Sequence, residues 1–133
     1  VTPAEIRISF TGINVSPDGG SVTALLPDGT ASVFSIADGT ARPLTGLAPG
    51  ESPIGWSEDG KAIFVSHPQG LPAKVFRLDI ATGQRSPWKE LSPSDPSGVF
   101  GVDPIRVTPD GKSFVYSYRR VITDLFLMEP TRR

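Results

Sequence analysis

The 133-residue sequence contains no cysteine, one histidine and one methionine. Without cysteine there are no disulfides, thiolate metal sites or thiol nucleophiles. With His67 as the sole histidine, a hydrolase triad has one candidate base, and no Gly-x-Ser-x-Gly elbow is present to offer a nucleophile. His67 also lacks neighbours at metal-ligand spacing, and the His67-Pro68-Gln69-Gly70 stretch reads as a loop between strands. Charge of one sign is missing as well: 13 Lys and Arg face 14 Asp and Glu, a net −1. That removes the electrostatic case for nucleic acid or an anionic membrane, both of which favour a basic surface. No apolar run approaches the ~20 residues that span a bilayer, and nothing near Val1 resembles a charged segment followed by an apolar one. Phosphate-loop and dinucleotide glycine spacings are absent. Asp-Gly pairs occur at Asp18, Asp28, Asp38, Asp59 and Asp110. They lack the alternating carboxylates that converge on calcium. The expectation is a non-enzymatic domain with no metal, no cofactor, no nucleic-acid partner and no membrane insertion.

What the sequence has in quantity is turn residues. Fourteen Gly and fourteen Pro fall between short apolar runs and rarely inside them, the layout of many short strands. Three segments align without gaps: residues 13–19 (INVSPDG), 54–60 (IGWSEDG) and 105–111 (IRVTPDG). A second landmark follows each of them, namely Val33-Phe34, Val75-Phe76 and Leu125-Phe126. The separations from turn Asp to Phe are 16, 17 and 16 residues, so two independent landmarks hold their spacing three times. Such periodicity marks a repeat architecture.

The repeat unit reads as four strands, and the third copy departs from it by stopping at residues 130–133 with no outer strand of its own. Ile-x-Val/Trp is a short inner strand, and Asp18-Gly19, Asp59-Gly60 and Asp110-Gly111 are structural turns. In these turns the carboxylate accepts backbone N–H groups and Gly takes positive φ without a Cβ clash. Second strands are expected at 22–26, 62–66 and 114–118, and third strands at 32–36, 75–80 and 125–128. More polar outer strands are expected at 41–45 and 84–89. Leu25-Leu26 and Ile63-Phe64-Val65 are apolar on both faces, as in a sheet held between neighbours. Four strands per ~40-residue repeat describe a β-propeller blade. The fold class is therefore all-β, with three four-stranded antiparallel blades of a partial β-propeller. Their approximate limits are 13–46, 54–91 and 105–130.

The Ser-Pro-Asp-Gly and Thr-Pro-Asp-Gly turns at 16–19 and 108–111, with the later Val/Leu-Phe strands, resemble the TolB-like, WD-like bacterial propeller repeat from Ile13 to about Pro130. Residues 106–111, 116–120 and 124–125 look most like the C-terminal propeller blades of kinase-associated signalling proteins. The resemblance implies a blade and carries over no catalytic residue. It implies a bacterial interaction domain, in a periplasmic or extracytoplasmic rather than cytoplasmic setting. The alternatives are an accessory propeller of a larger enzyme, such as a prolyl-oligopeptidase-like hydrolase, or the ligand-sensing domain of a serine/threonine kinase.

Closed propellers usually have four to eight blades. Three imply the C-terminal part of a larger protein, an expectation to which the initial Val1 also points, or a homodimer that completes a six-bladed ring. Residues 1–12, with the alternation of Ile6, Ile8 and Phe10, read as a connector or as a ring-closing strand. One rim of a propeller carries the second-to-third-strand loops and the inter-blade connectors, here 26–30, 67–72, 119–123, 47–53 and 91–104. Loops on a rigid scaffold are where recognition resides. His67, Phe100, Arg119 and Arg120 are the binding candidates there, for a protein or peptide partner. Trp56 is expected to pack between blades. Trp88 is expected to cover a blade edge or anchor a partner.

Overall fold

The computed structural model of the chain describes residues 15–26 and 28–130. Nine strands and no helix occur among them: β1 (Ser21–Leu25), β2 (Ala31–Ser35), β3 (Ala41–Pro43), β4 (Ser52–Trp56), β5 (Ala62–Ser66), β6 (Ala73–Asp79), β7 (Arg85–Leu91), β8 (Val99–Val107) and β9 (Phe114–Arg120). They form three antiparallel sheets, ordered β1-β2-β3, β4-β5-β6-β7 and β8-β9. Within each sheet consecutive strands pair, so each is a meander built from local hairpins.

The turns that open the repeats share one hydrogen-bond network. In the first, Ser16 Oγ donates to Asp18 Oδ1 (2.5 Å) and accepts from Ser21 N–H (2.9 Å), and the same carboxylate oxygen accepts from Gly20 N–H (2.8 Å). Ser57, Asp59, Lys61 and Ala62 repeat it at 2.6–3.0 Å, and Thr108, Asp110, Lys112 and Ser113 at 2.5–3.0 Å. The hydroxyl thus relays between a backbone N–H and the carboxylate, which is why Ser or Thr stands two positions before Asp. The following glycines adopt φ of 71°, 67° and 68°, a region that costs a side chain dearly.

Two hydrophobic clusters lie between the sheets. One joins Ala31, Val33 and Leu44 of the first sheet region to Trp56, Ile63, Val65, Leu78 and Ile80. The other joins Ile54, Phe64, Val75 and Leu91 to Val102, Ile105 and Val107 of the third sheet. The middle sheet feeds both, since β5 sends Ile63 and Val65 one way and Phe64 the other. The doubly apolar pattern of that strand is explained by neighbours on either side. Trp56 is 3% exposed within the first cluster. Trp88 packs its ring 5.0 Å from Phe64 and 6.0 Å from Phe114, bridging the second and third sheets.

The sheets depart from three complete four-stranded units. Among the described residues only the middle one has four strands. In the first, Val15 makes an isolated bridge to Val22, and the rest of the expected inner strand lies outside the described residues, as do residues 1–12. The third has two strands, and the strand expected at 125–128 is corrected: residues 121–130 form none. The expected 91–104 connector is likewise shorter, because its last residues are the start of β8. Val99 pairs with Arg120, Gly101 with Arg119 and Val102 with Tyr118. The ladder skips Asp103 and Pro104 at an irregularity, where a residue without an N–H can be placed.

Candidate functional site

The loop after β5 and the start of β8 meet because Gly101 has no side chain. A Cβ there would stand 2.6 Å from the Pro68 carbonyl oxygen, a distance real carbon atoms do not reach. The contact brings the 67–72 loop of the middle sheet against the third sheet. A groove of about 380 Å³ results, lined by Pro68, Gln69, Phe100, Gly101, Asp103 and Arg119. Phe100 is 71% exposed on it. The Arg119 side chain has no ion-pair or hydrogen-bond partner among the described residues, whereas that of its neighbour Arg120 has several.

Strand alternation separates the two arginines. Arg120 forms an ion pair with Asp95 (Nη1–Oδ2 3.2 Å), donates to the Asp95 carbonyl, and lies 5.8 Å from the Tyr118 ring centre. It pins the 92–98 connector to β9. Asp95 is held below its ordinary pKa by Ser97, first through its backbone N–H and then through its hydroxyl, and by Arg120. Tyr116 adds a second tie, its hydroxyl donating to the Ser92 carbonyl at 3.1 Å. Arg120 therefore fastens the connector while Arg119 faces the groove.

His67 sits at the back of the same loop. Its Nδ1 accepts from Gln69 N–H at 3.1 Å, which shapes the Pro68-Gln69 segment that lines the groove. A Cβ at Gly50 would come within 2.6 Å of His67 Nε2. The half-buried imidazole thus lies between its own loop and the connector from the first sheet. Of the four residues singled out by sequence, Phe100 and Arg119 line the groove, His67 shapes its wall and Arg120 secures the adjoining connector. Asp103, Pro68 and Gln69 were not singled out in sequence. Nothing local distinguishes them, since the contact that assembles them spans more than thirty residues.

A larger hollow of about 480 Å³ lies among the turns of the middle and third repeats, lined by residues including Asp59, Arg77, Trp88, Asp110 and Gly111. Its two aspartates are already committed. Asp59 is held below its ordinary pKa by the Ser57 hydroxyl first and the Lys61 N–H next, and Asp110 by Thr108 and Lys112 in the same way. Arg77 reaches Asp59 at 3.6 Å, and Glu58 N–H donates to the Pro109 carbonyl at 2.8 Å across the two turns. Groups used up in holding turns are poor candidates for ligand contacts. The groove with unpartnered Arg119 and Phe100 is the better one. No group of three or more His, Cys, Asp or Glu able to hold a metal occurs among the described residues.

No family model and no curated relative matches the chain. Among solved structures it is similar to TolB from Acinetobacter baumannii, with 20% identity over 85% of this chain and 34% of that one, at a TM-score of 0.48. It is also similar to a protein from Bacteroides uniformis provisionally described as a 6-phosphogluconolactonase. There the identity is 21% over 77% of this chain and 31% of that one, at a TM-score of 0.40. The chain therefore spans about a third of the length of these structures.

Proposed function

We propose that the three sheets are successive blades of a β-propeller and that the chain is a non-catalytic interaction domain. It binds an extended segment of a protein partner in the groove between the 67–72 loop and β8. One observation carries this reading: Phe100 and Arg119, an exposed aromatic and an uncommitted cation, flank a groove whose floor is fixed by the Gly101–Pro68 contact. Aromatic and arginine side chains are the residue types on which binding energy concentrates. The groove offers Phe100 to an apolar side chain, Arg119 to a carboxylate and the Asp103 carboxylate to a donor. The preferred segment has an apolar residue close to an acidic one. Chemistry, where the larger protein performs any, belongs to another domain.

Selection of displayed random peptides on the 133-residue chain tests the proposal. Enrichment of apolar-acidic sequences is expected, with at least a tenfold loss of affinity in Phe100→Ala and in Arg119→Ala. Enrichment of nothing, or of peptides that bind both variants as well as the parent, sinks it.

A further inference from the structure

The third sheet stops at β9, whose outer edge has no partner strand among the described residues. In the middle sheet the corresponding strand, β5, is paired on both sides. Unpaired strand edges are templates for another strand. Six residues past β9 the chain carries the landmark that occupies the neighbouring position in the other two sheets. There, Phe34 pairs with Val22 and Phe76 with Val65. In the third repeat Leu125 and Phe126 stand clear, 97% and 83% exposed, and Leu127 and Met128 are 88% and 89% exposed. Four adjacent apolar side chains left in water signal a missing cover.

The chain's own β9 is poorly reached by this segment, for two reasons. In the first two repeats, Phe34 lies nine residues past the end of β1 at Leu25, and Phe76 ten past the end of β5 at Ser66. Phe126 follows Arg120, the last residue of β9, by six. Pairing with β8 extends β9 through residues that form the hairpin loop elsewhere. The remaining link also has no turn chemistry. The other loops contain Pro27, Asp28 and Gly29, or Pro68, Gly70 and Pro72, whereas this one reads Val121, Ile122, Thr123, Asp124. Three β-branched residues in succession favour an extended chain over a tight reversal. Val121 N–H continues the extension by donating to the Gly98 carbonyl at 2.9 Å.

We propose that residues 125–128 are an exchanged strand: they pair with the free edge of β9 in a second copy of this chain, whose own segment pairs reciprocally with the first. Exchange of an identical element satisfies both edges with contacts the repeat already encodes, and needs no turn. Charge fits the antiparallel direction. Asp124 would meet the Arg119 end of β9, and Glu129 the end preceded by Lys112. The contact differs in geometry from two half-rings meeting edge to edge.

Light scattering on the eluting 133-residue chain tests the exchange, with circular dichroism to verify that each variant is folded. The parent is expected at twice its 14.1 kDa chain mass. Phe126→Asp, which changes an exposed side chain, is expected at the monomer mass. Insertion of Pro-Asp-Gly between Val121 and Ile122 supplies loop length and turn residues, so the strand folds back on its own β9 and the mass halves. A parent that is monomeric at high concentration overturns the proposal. So does a dimer that survives Phe126→Asp, which would assign self-association to another surface such as residues 6–10. A dimer unaffected by the insertion overturns the loop argument and the exchange with it.

Discussion

Arg85 grips Glu51 at two points, Nη1 to Oε2 at 2.7 Å and Nη2 to Oε1 at 2.6 Å, across 34 positions of sequence. The glutamate side chain is 5% exposed, and its Oε2 also accepts from Ala48 N–H at 2.9 Å. Arg85 donates further to the Gly46 carbonyl and lies over the Phe76 ring at 4.3 Å. The pair clamps the connector between the first two sheets onto the outer strand of the second. Removing one member of a buried pair strands the other. Arg85→Ala is expected to cost about 3 kcal/mol, the low end for such a break because Arg85 is 27% exposed. Urea denaturation of Arg85→Ala, Glu51→Ala and the double variant checks it, and the double should cost less than the two singles added.

The turn hydroxyls differ in burial although their networks match. Ser57 is buried, and its Oγ serves the buried Ala62 N–H at 3.0 Å, whereas the Thr108 network is exposed. An unsatisfied buried donor costs about 1–3 kcal/mol, but water replaces a lost partner at the surface. Ser57→Ala is therefore expected to lower the melting temperature by several degrees more than Thr108→Ala.

Acid should weaken the fold through these same turns. Hydrogen bonds from Ser16 to Asp18, Ser57 to Asp59 and Thr108 to Asp110 hold the carboxylates below the ordinary value of 3.8. A group whose folded pKa is depressed contributes its stability above the unfolded value and loses it as pH falls through the folded one. The urea midpoint should be insensitive to these groups at pH 5 to 7 and decline below about pH 4. Replacing the three aspartates with asparagine should flatten that decline.

Gly101→Ala probes the groove by its floor. The new methyl meets the Pro68 carbonyl oxygen, which is backbone and cannot swing away. Overpacking of this kind costs about 1–3 kcal/mol. The variant should lose peptide binding together with stability, whereas Arg119→Ala should lose binding alone; paired melting and binding curves separate the two.

The turns, the first two Phe landmarks and the double-faced β5 could be read from sequence because each depends on neighbours within one repeat. Expected middle strands at 62–66 and 114–118 coincide with or lie inside β5 and β9. Two failures share a cause in pairing between distant residues. The 91–104 stretch has the glycine and proline of a loop, yet Val99 to Val102 pair with the end of β9. That pairing lengthens β9 and removes the hairpin on which the strand at 125–128 relied. The groove was half legible. Rim topology brought the 67–72 loop near Phe100 and Arg119, but the sequence held no sign that Asp95 would engage Arg120 or that Gln69 would engage His67.

Alternation of greasy and polar positions ordinarily tells a strand which way to face, because a slip of one residue turns its oily side to water. Ile63, Phe64 and Val65 offer no such instruction, since any slip leaves hydrocarbon on either side. Alignment of the central strand must come from its starting point, where Ser57, Asp59 and Gly60 fix how many residues the reversal consumes. Damage to that corner would then show itself as misalignment, with an intact hydrophobic interior built from the wrong partners.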